Sequence, residues 1–352
     1  MTGADESEIV MANSLTVNNA LLLEAFYLPN FKTGRKKILI MEHSFASDQA
    51  VVMSVIKQKV ALLKQNGLAR DISDNIERMR EQMVVILPSD KDGLYSISTL
   101  RQILKTHGST IALAHLEGIP FTTGQKFYSN DVNDLLREYN IRIGWDLAHV
   151  VGNRSVSLHE DGVDYATWCG YKYLGASAGG VGGYFINNKN QINKDFFPLQ
   201  GWKAMRSDMV FSKIHSFDSS LFYDDARGTR LGNPPPVEMG DAQAVLELFD
   251  EIGVKNVENR SKALTNHLIK LLQDRLRGKI RFITPLLEDQ HGAMIVFQLK
   301  TDKSAEDIEK LLQKHNFSVD VRPPANIRIM PHPLYVDFQD VEKFVDTMAL
   351  AL

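Results

Sequence analysis

The chain is 352 residues long, 44% hydrophobic and 24% charged, with a formal net charge of -3. That suits a globular protein with a large core and two domains; it leaves no basic footprint for nucleic acid, and no apolar run approaches the ~18 residues of a membrane span. The only cysteine is Cys169, which excludes an internal disulfide, and the acidic start MTGADESEIV lacks the basic and apolar regions of a signal peptide, so a cytoplasmic setting is expected.

Short β-rich runs alternate with helical stretches. The segment SEIVMAN leads at once into SLTVNNALLLEAF, a helix with Ser14 or Thr16 near its N-cap. KKILIM (36–41) reads as a buried strand, and 46–63 as a helix opened by Ser47 and Asp48. MVVILP, STIALAHL and IRIGWDL read as further strands, with helices over 98–106 and 130–139 between them. Strands that are continuous apolar runs, separated by helices, predict a mostly parallel sheet covered on both faces. Ligands of such sheets gather at the C-terminal strand ends. Beyond Val237 the texture changes to two long amphipathic helices, then short strands and helices, which suggests a smaller α+β domain. Three prolines, Pro234 to Pro236, mark the expected division into 1–236 and 237–352.

Several stretches carry candidate chemistry. The helix start at NSLTVN offers backbone N–H groups of Ser14, Leu15 and Thr16 to a phosphate, or is an ordinary N-cap. Asp146 ends a strand, with His149 three residues on. The two could ligate a metal, could form a structural hydrogen bond, or Asp146 could keep a heterocyclic nitrogen protonated. Lys172 sits among Trp168, Tyr171 and Tyr173, before a glycine run. Poor solvation disfavours a charged amine, and a neutral amine can form a Schiff base; the alternative is a snorkelling lysine. With the helix start and Asp146 upstream, the balance moves to pyridoxal 5'-phosphate (PLP). Phe45, beside Asp48 in SFASD, could stack on a cofactor ring or join the core. Asn233 precedes the proline turn, and Arg328 alternates with Ile327 and Ile329, which fits a carboxylate clamp or a solvated sheet face.

Together, NSLTVN, SFASD, TGQ (123–125), WDLAHVVGN, GVDYATWCGYKYL, GGVGGYFI, Gly201–Trp202, GTRLGNPPP and IRIMPHPLY resemble kynureninase, over nearly the whole chain. The resemblance implies a fold-type I PLP enzyme, α/β, with a large sheet domain and a smaller C-terminal α+β domain. It implies Lys172 as the Schiff-base lysine and Asp146 at the pyridinium nitrogen, with His149 beside it. Leu15, Thr16 and Tyr171 would bind phosphate, Tyr171 also relaying protons, and Phe45 would stack with Asp48 nearby. Trp202 and Asn233 would reach from a partner subunit or the domain junction, and Asn233 and Arg328 would hold substrate. The implied reaction is hydrolysis of L-kynurenine or its 3-hydroxy form in tryptophan catabolism and NAD biosynthesis, by a homodimer. Against the family's pattern the resemblance implies three departures: an N-terminal segment expected before Met1, Glu117 where relatives carry a small hydroxyl residue near the phosphate, and KAMRSD after Trp202. They leave a weakly active or inactive family member as the alternative, and a metal hydrolase on Asp146 and His149 as a third reading.

Overall fold

The computed structural model describes residues 1–190, 196–211, 218–322 and 325–352. Its centre is a seven-stranded sheet in the order β1-β7-β6-β5-β4-β2-β3. The strands are β1 (Ile9–Met11), β2 (Lys37–Met41), β3 (Val84–Leu87), β4 (Ile111–Glu117), β5 (Arg142–Asp146), β6 (Tyr165–Trp168) and β7 (Gly183–Ile186). From β6 through β5, β4 and β2 to β3 every pairing is parallel. β7 and β1 join antiparallel at one edge. SEIVMAN therefore supplies an edge strand, paired with a strand that follows 172 residues later in register (Met11 with Gly183).

Strand alternation assigns the two faces. Ile38 and Ile40 pack with Leu22, Leu23 and Phe26 of α1 (Leu15–Phe26) and with Val52 and Ile56 of α2 (Ala46–Gln65). Leu39 and Met41 point the other way. They meet Leu100 and Leu104 of α4 (Ile97–His107), and Val132 and Leu136 of α5 (Asn130–Glu138). β4 is buried at all seven positions, as a central strand must be when helices cover both faces. Each fully buried Ile or Leu contributes about 1.5–3 kcal/mol.

Two local readings need correction. The N-cap of α2 is Phe45, so Ser47 and Asp48 fall inside the first turn; there Asp48 is buried and faces the sheet instead of capping. A short helix, α3 (Ile76–Met83), lies where no element was expected, capped by the Asn75 side chain accepting the N–H groups of Glu77 and Arg78.

The second sheet has four antiparallel strands in the order β10-β11-β9-β8: β8 (Ile280–Phe282), β9 (Ile295–Leu299), β10 (Asp320–Arg322) and β11 (Asn326–Ile329). Ile295, Phe297, Ile327 and Ile329 pack there against α7 (Val254–Arg275), α8 (Ala305–Lys314) and α9 (Phe338–Ala351). The proline turn feeds α6 (Pro236–Ile252), with Pro236 at its first position, where the missing N–H costs nothing. Phe249 of α6 and Val257 of α7 bury in the core of the large sheet, so packing continues across the proline turn. Among the described residues no helix is long and apolar enough to cross a membrane.

Candidate active site

The parallel strands end together. Glu117 at the end of β4 is the register partner of Asp146 at the end of β5, and Asp146 is that of Thr167 in β6. The loop after β2 delivers Phe45, the first turn of α2 delivers Asp48, and the loop after β6 delivers Lys172. These segments close a narrow cleft whose lining includes Leu15, Phe45, Glu117, Asp146, His149 and Lys172.

Lys172 is half-buried, with Nζ 3.4 Å from Nε2 of His149 and 5.9 Å from the centre of the Phe45 ring. Its sequence neighbours do not form its walls as expected. The Trp168 indole lies against Gly183, the Tyr173 ring meets His149 edge-on at 5.8 Å, and Tyr171 is 41% exposed. In an irregular loop adjacent side chains diverge, so the aromatic over the ammonium comes from another loop. The Tyr171 hydroxyl bonds the Cys169 thiol, which with burial pushes the phenol up to about 12.

Three carboxyl groups crowd the strand ends. Asp146 is buried, and its Oδ1 accepts the Ala148 N–H at 2.7 Å. Burial pushes its carboxyl up, while the Ala148 N–H, Lys172 and a hydrogen bond from Asp48 hold it down. Burial, then Asp146 and Glu117, push Asp48 well above the usual carboxylate range. Both carboxyls are pushed up, Asp48 the further, so a proton held between the pair is favoured on Asp48. Glu117 is pushed up to about 8 by burial and by Asp146, against the pull of the Phe45 and Phe121 N–H groups and Lys172. Its Oε1 accepts the Phe45 N–H at 2.5 Å, so this carboxyl is paired with backbone instead of left bare.

A polar chain backs Asp48. Asn19 Nδ2 donates to Asp48 Oδ1 at 2.9 Å, and the Thr167 hydroxyl donates to Asn19 Oδ1 at 2.5 Å. His115 Nε2 lies 3.7 Å from Asp48 Oδ2, and its Nδ1 is 3.0 Å from the Tyr165 hydroxyl. Sequence reasoning named none of Asn19, His115 and Thr167. The available signal was STIALAHLE, an apolar central strand ending in two ionisable residues.

At the start of α1, Ser14 is an exposed N-cap whose side chain makes no capping bond, Leu15 is buried and Thr16 is exposed. No Ser14 side-chain bond therefore occupies the leading N–H groups, which leaves them to an anion. Leu15, Ala148 and Cys169 bury together, which fixes this helix start to the Asp146 and Lys172 loops. The glycine run completes the joint: a Cβ on Gly182 would lie 2.3 Å from the Trp168 carbonyl oxygen.

Arg328 on β11 faces away from the small core, as its alternation predicted. Its Nε lies 2.8 Å from Asp320 Oδ2, and its Nη1 donates to the Phe121 carbonyl at 3.1 Å. Phe121 itself lines the cleft. Trp202 packs edge-on to Phe211 at 6.0 Å and Asn233 is exposed; neither lines the Lys172 cleft within one chain. His149 faces Lys172, not Asp146. Burial, then Lys172, Arg328 and Arg322, push its imidazole well down, so it is neutral. Among the described residues, the group of three with metal-ligand spacing is Asp5, Glu8 and His159, away from Asp146 and His149.

The residues fit PLP on their own chemistry. His149 Nδ1 is a buried polar atom without a hydrogen-bond partner in the protein. An uncapped helix start, an amine and an aromatic face stand beside it. A lysine opposed to a strand-end carboxylate, at the C-terminal edge of this sheet, defines a lysine-dependent α/β enzyme. The fold matches the cystine C–S lyase C-DES, solved with its product cysteine persulfide (TM-score 0.76, 14% identity, 98% of this chain and 82% of that one). It also matches an apo cysteine desulfurase from Thermococcus onnurineus NA1 (TM-score 0.73, 15% identity, 99% and 80%). Residues 257–348 match the kynureninase C-terminal domain. Kynureninase from Xanthomonas campestris pv. campestris is 33% identical over 347 residues, 98% of this chain and 77% of that protein. Kynureninase from Myxococcus xanthus is 31% identical over 348 residues, 99% and 76%. The chain belongs to the kynureninase family.

Proposed function

We propose that this enzyme holds PLP in the Lys172 cleft and hydrolyses the Cβ–Cγ bond of L-kynurenine or 3-hydroxykynurenine. Water adds across that bond: its hydroxyl goes to the former γ-carbonyl carbon, which leaves as the carboxylate of anthranilate or 3-hydroxyanthranilate. A proton goes to Cβ, which leaves as L-alanine. The observation that carries this reading is Lys172 in the same cleft as the buried strand-end carboxyl of Asp146. PLP supplies an electron sink for carbanions formed beside its imine carbon.

The chain's own residues do the rest. Lys172 would carry the cofactor and, once freed, move the proton at the substrate α-carbon, with neutral His149 3.4 Å away to receive it. Asp146 would hold the ring nitrogen protonated, with the proton of the carboxyl pair favoured on Asp48. Phe45 would cover the ring. The N–H groups of Leu15 and Thr16, the Thr16 hydroxyl and Tyr171 would bind the phosphate. Arg328 and Asn233 would hold the substrate carboxylate. Trp202 and Asn233 are exposed, which suits a contribution across a homodimer interface. Residues 1–236 and 237–352 would serve as the large and small bodies, with Arg328 the small body's contribution. The same reading places the enzyme in cytoplasmic tryptophan catabolism feeding NAD biosynthesis.

The test is anthranilate fluorescence from kynurenine with PLP present, for wild type and Lys172→Ala. Turnover in wild type with at least a ~10³-fold loss in the variant is expected. Bound PLP without turnover would point instead to an inactive family member.

A further inference from the structure

Glu117 does more than end a strand. Its Oε1 takes the Phe45 N–H at 2.5 Å, and the Phe121 N–H lies close enough to pull its carboxyl down. Those two residues belong to different loops, one at the N-cap of α2 and one after β4. Their rings meet edge to face with centroids 5.2 Å apart, and the Phe45 ring lies 5.9 Å from Lys172 Nζ. One buried carboxyl thus fastens two aromatic walls of the cleft.

We propose that Glu117 is a positioning residue that works as a neutral acid: protonated, it fixes Phe45 and Phe121 beside Lys172, and ionised, it opposes any anionic ligand entering the cleft. The inference rests on the cofactor reading of the Lys172 cleft. The groups facing Glu117 are Asp146 from β5, Asp48 from α2, Lys172 and His149 from the loops after β6 and β5, and Tyr95 from the segment before α4. With Glu117 and Asp48 both protonated, one carboxylate faces one lysine. Ionising Glu117 puts two carboxylates against the same lysine, in a site that must take a phosphate. Because Glu117 is pushed up to about 8, it is the acid at neutral pH and the anion above it. Anion affinity therefore falls as pH rises through about 8, approaching about ten-fold per pH unit if only the protonated form binds.

The experiment is PLP titration of purified apoprotein between about pH 6.5 and 9.5, read by the absorbance of the lysine-bound cofactor and by near-ultraviolet circular dichroism. Wild type is compared with Glu117→Gln, which keeps an acceptor oxygen for the Phe45 N–H and cannot ionise. The ratio of wild-type to Glu117→Gln dissociation constants should rise at least about ten-fold from pH 7 to 9.5. A second variant, Glu117→Ser, removes charge and clamp together. It should show the same flat pH profile relative to wild type, with weaker binding at pH 7 and an altered aromatic dichroism signal. A constant wild-type to Glu117→Gln ratio across pH overturns the proton linkage. Glu117→Ser binding as tightly as wild type at pH 7, with unchanged dichroism, overturns the clamp. Absence of lysine-bound absorbance in wild type at every pH is a different result: it removes the cofactor reading, and this inference with it.

Discussion

Arg328 Nη1 donates to the carbonyl of Phe121 at 3.1 Å, linking a strand of the small sheet to the wall of the Lys172 cleft. The same guanidinium engages Asp320, its register partner on β10, at 2.8 Å. A fork that bridges a carbonyl and a carboxylate at once is specific to arginine. Arg328→Lys keeps the charge and loses the fork. It should raise KM for kynurenine about ten-fold or more with a smaller effect on kcat, measured by steady-state kinetics. Thermal unfolding should shift little, because Arg328 is only half-buried.

Asp146 separates function from stability. Its carboxylate is buried beside two other carboxyl groups, an arrangement that costs folding energy. Asp146→Asn removes the charge and retains an acceptor for the Ala148 N–H. The variant should unfold at the same or a higher temperature than wild type at pH 7, while PLP affinity falls at least about ten-fold. Calorimetry and absorbance titration on one preparation check both halves.

His115 gives the fold an acid limit. Burial pushes its imidazole down to about 4 from the usual value near 6.5. A depressed histidine contributes stability that is fully present above its unfolded value and is lost as pH falls toward the folded one. The unfolded chain takes up a proton below about pH 6.5 that the folded chain refuses until about 4. Unfolding free energy should therefore decline by up to about 1.4 kcal/mol per pH unit across that window from this residue. His115→Gln should remove this component. Urea titrations of both proteins at pH 7, 6, 5 and 4.5 measure the difference in slope.

Much of the site was legible because its chemistry lies at the ends of apolar runs. Asp146 closes IRIGWD, and Lys172 follows YATW before a glycine run; a buried parallel sheet places both on one edge. Arg328 was legible from alternation with Ile327 and Ile329, which bury in the small core. The antiparallel pairing of β1 with β7 was not, because three residues at the chain start find a partner far along the sequence. Local crowding misled at Lys172: sequence adjacency suggested Tyr171 and Tyr173 as its walls, whereas Phe45 from another loop faces it. The proton carried by Glu117 was hidden for a related reason. It depends on Asp146, a neighbour only through strand register.

The loop that carries Lys172 is held by close backbone approaches, and two glycines separate space from conformation. A Cβ at Gly170 would lie 2.2 Å from the Val181 carbonyl oxygen, a rigid backbone atom that cannot step aside. Gly170 also accepts the Ala176 N–H at 3.0 Å, closing the turn around Lys172. Gly179 has φ +76°, with nothing within 4 Å of an added Cβ. Gly179→Ala should therefore cost only the left-handed backbone penalty, about 1–2 kcal/mol, and leave PLP uptake intact. Gly170→Ala forces two loop segments apart and should cost about 2–3 kcal/mol, with PLP affinity reduced because Lys172 moves with the loop. Urea unfolding of the apoproteins ranks the two costs, and cofactor absorbance tests whether only Gly170→Ala disturbs the lysine. Equal costs, or a larger loss of PLP affinity in Gly179→Ala, would show that the loop is not held at the Gly170–Val181 contact.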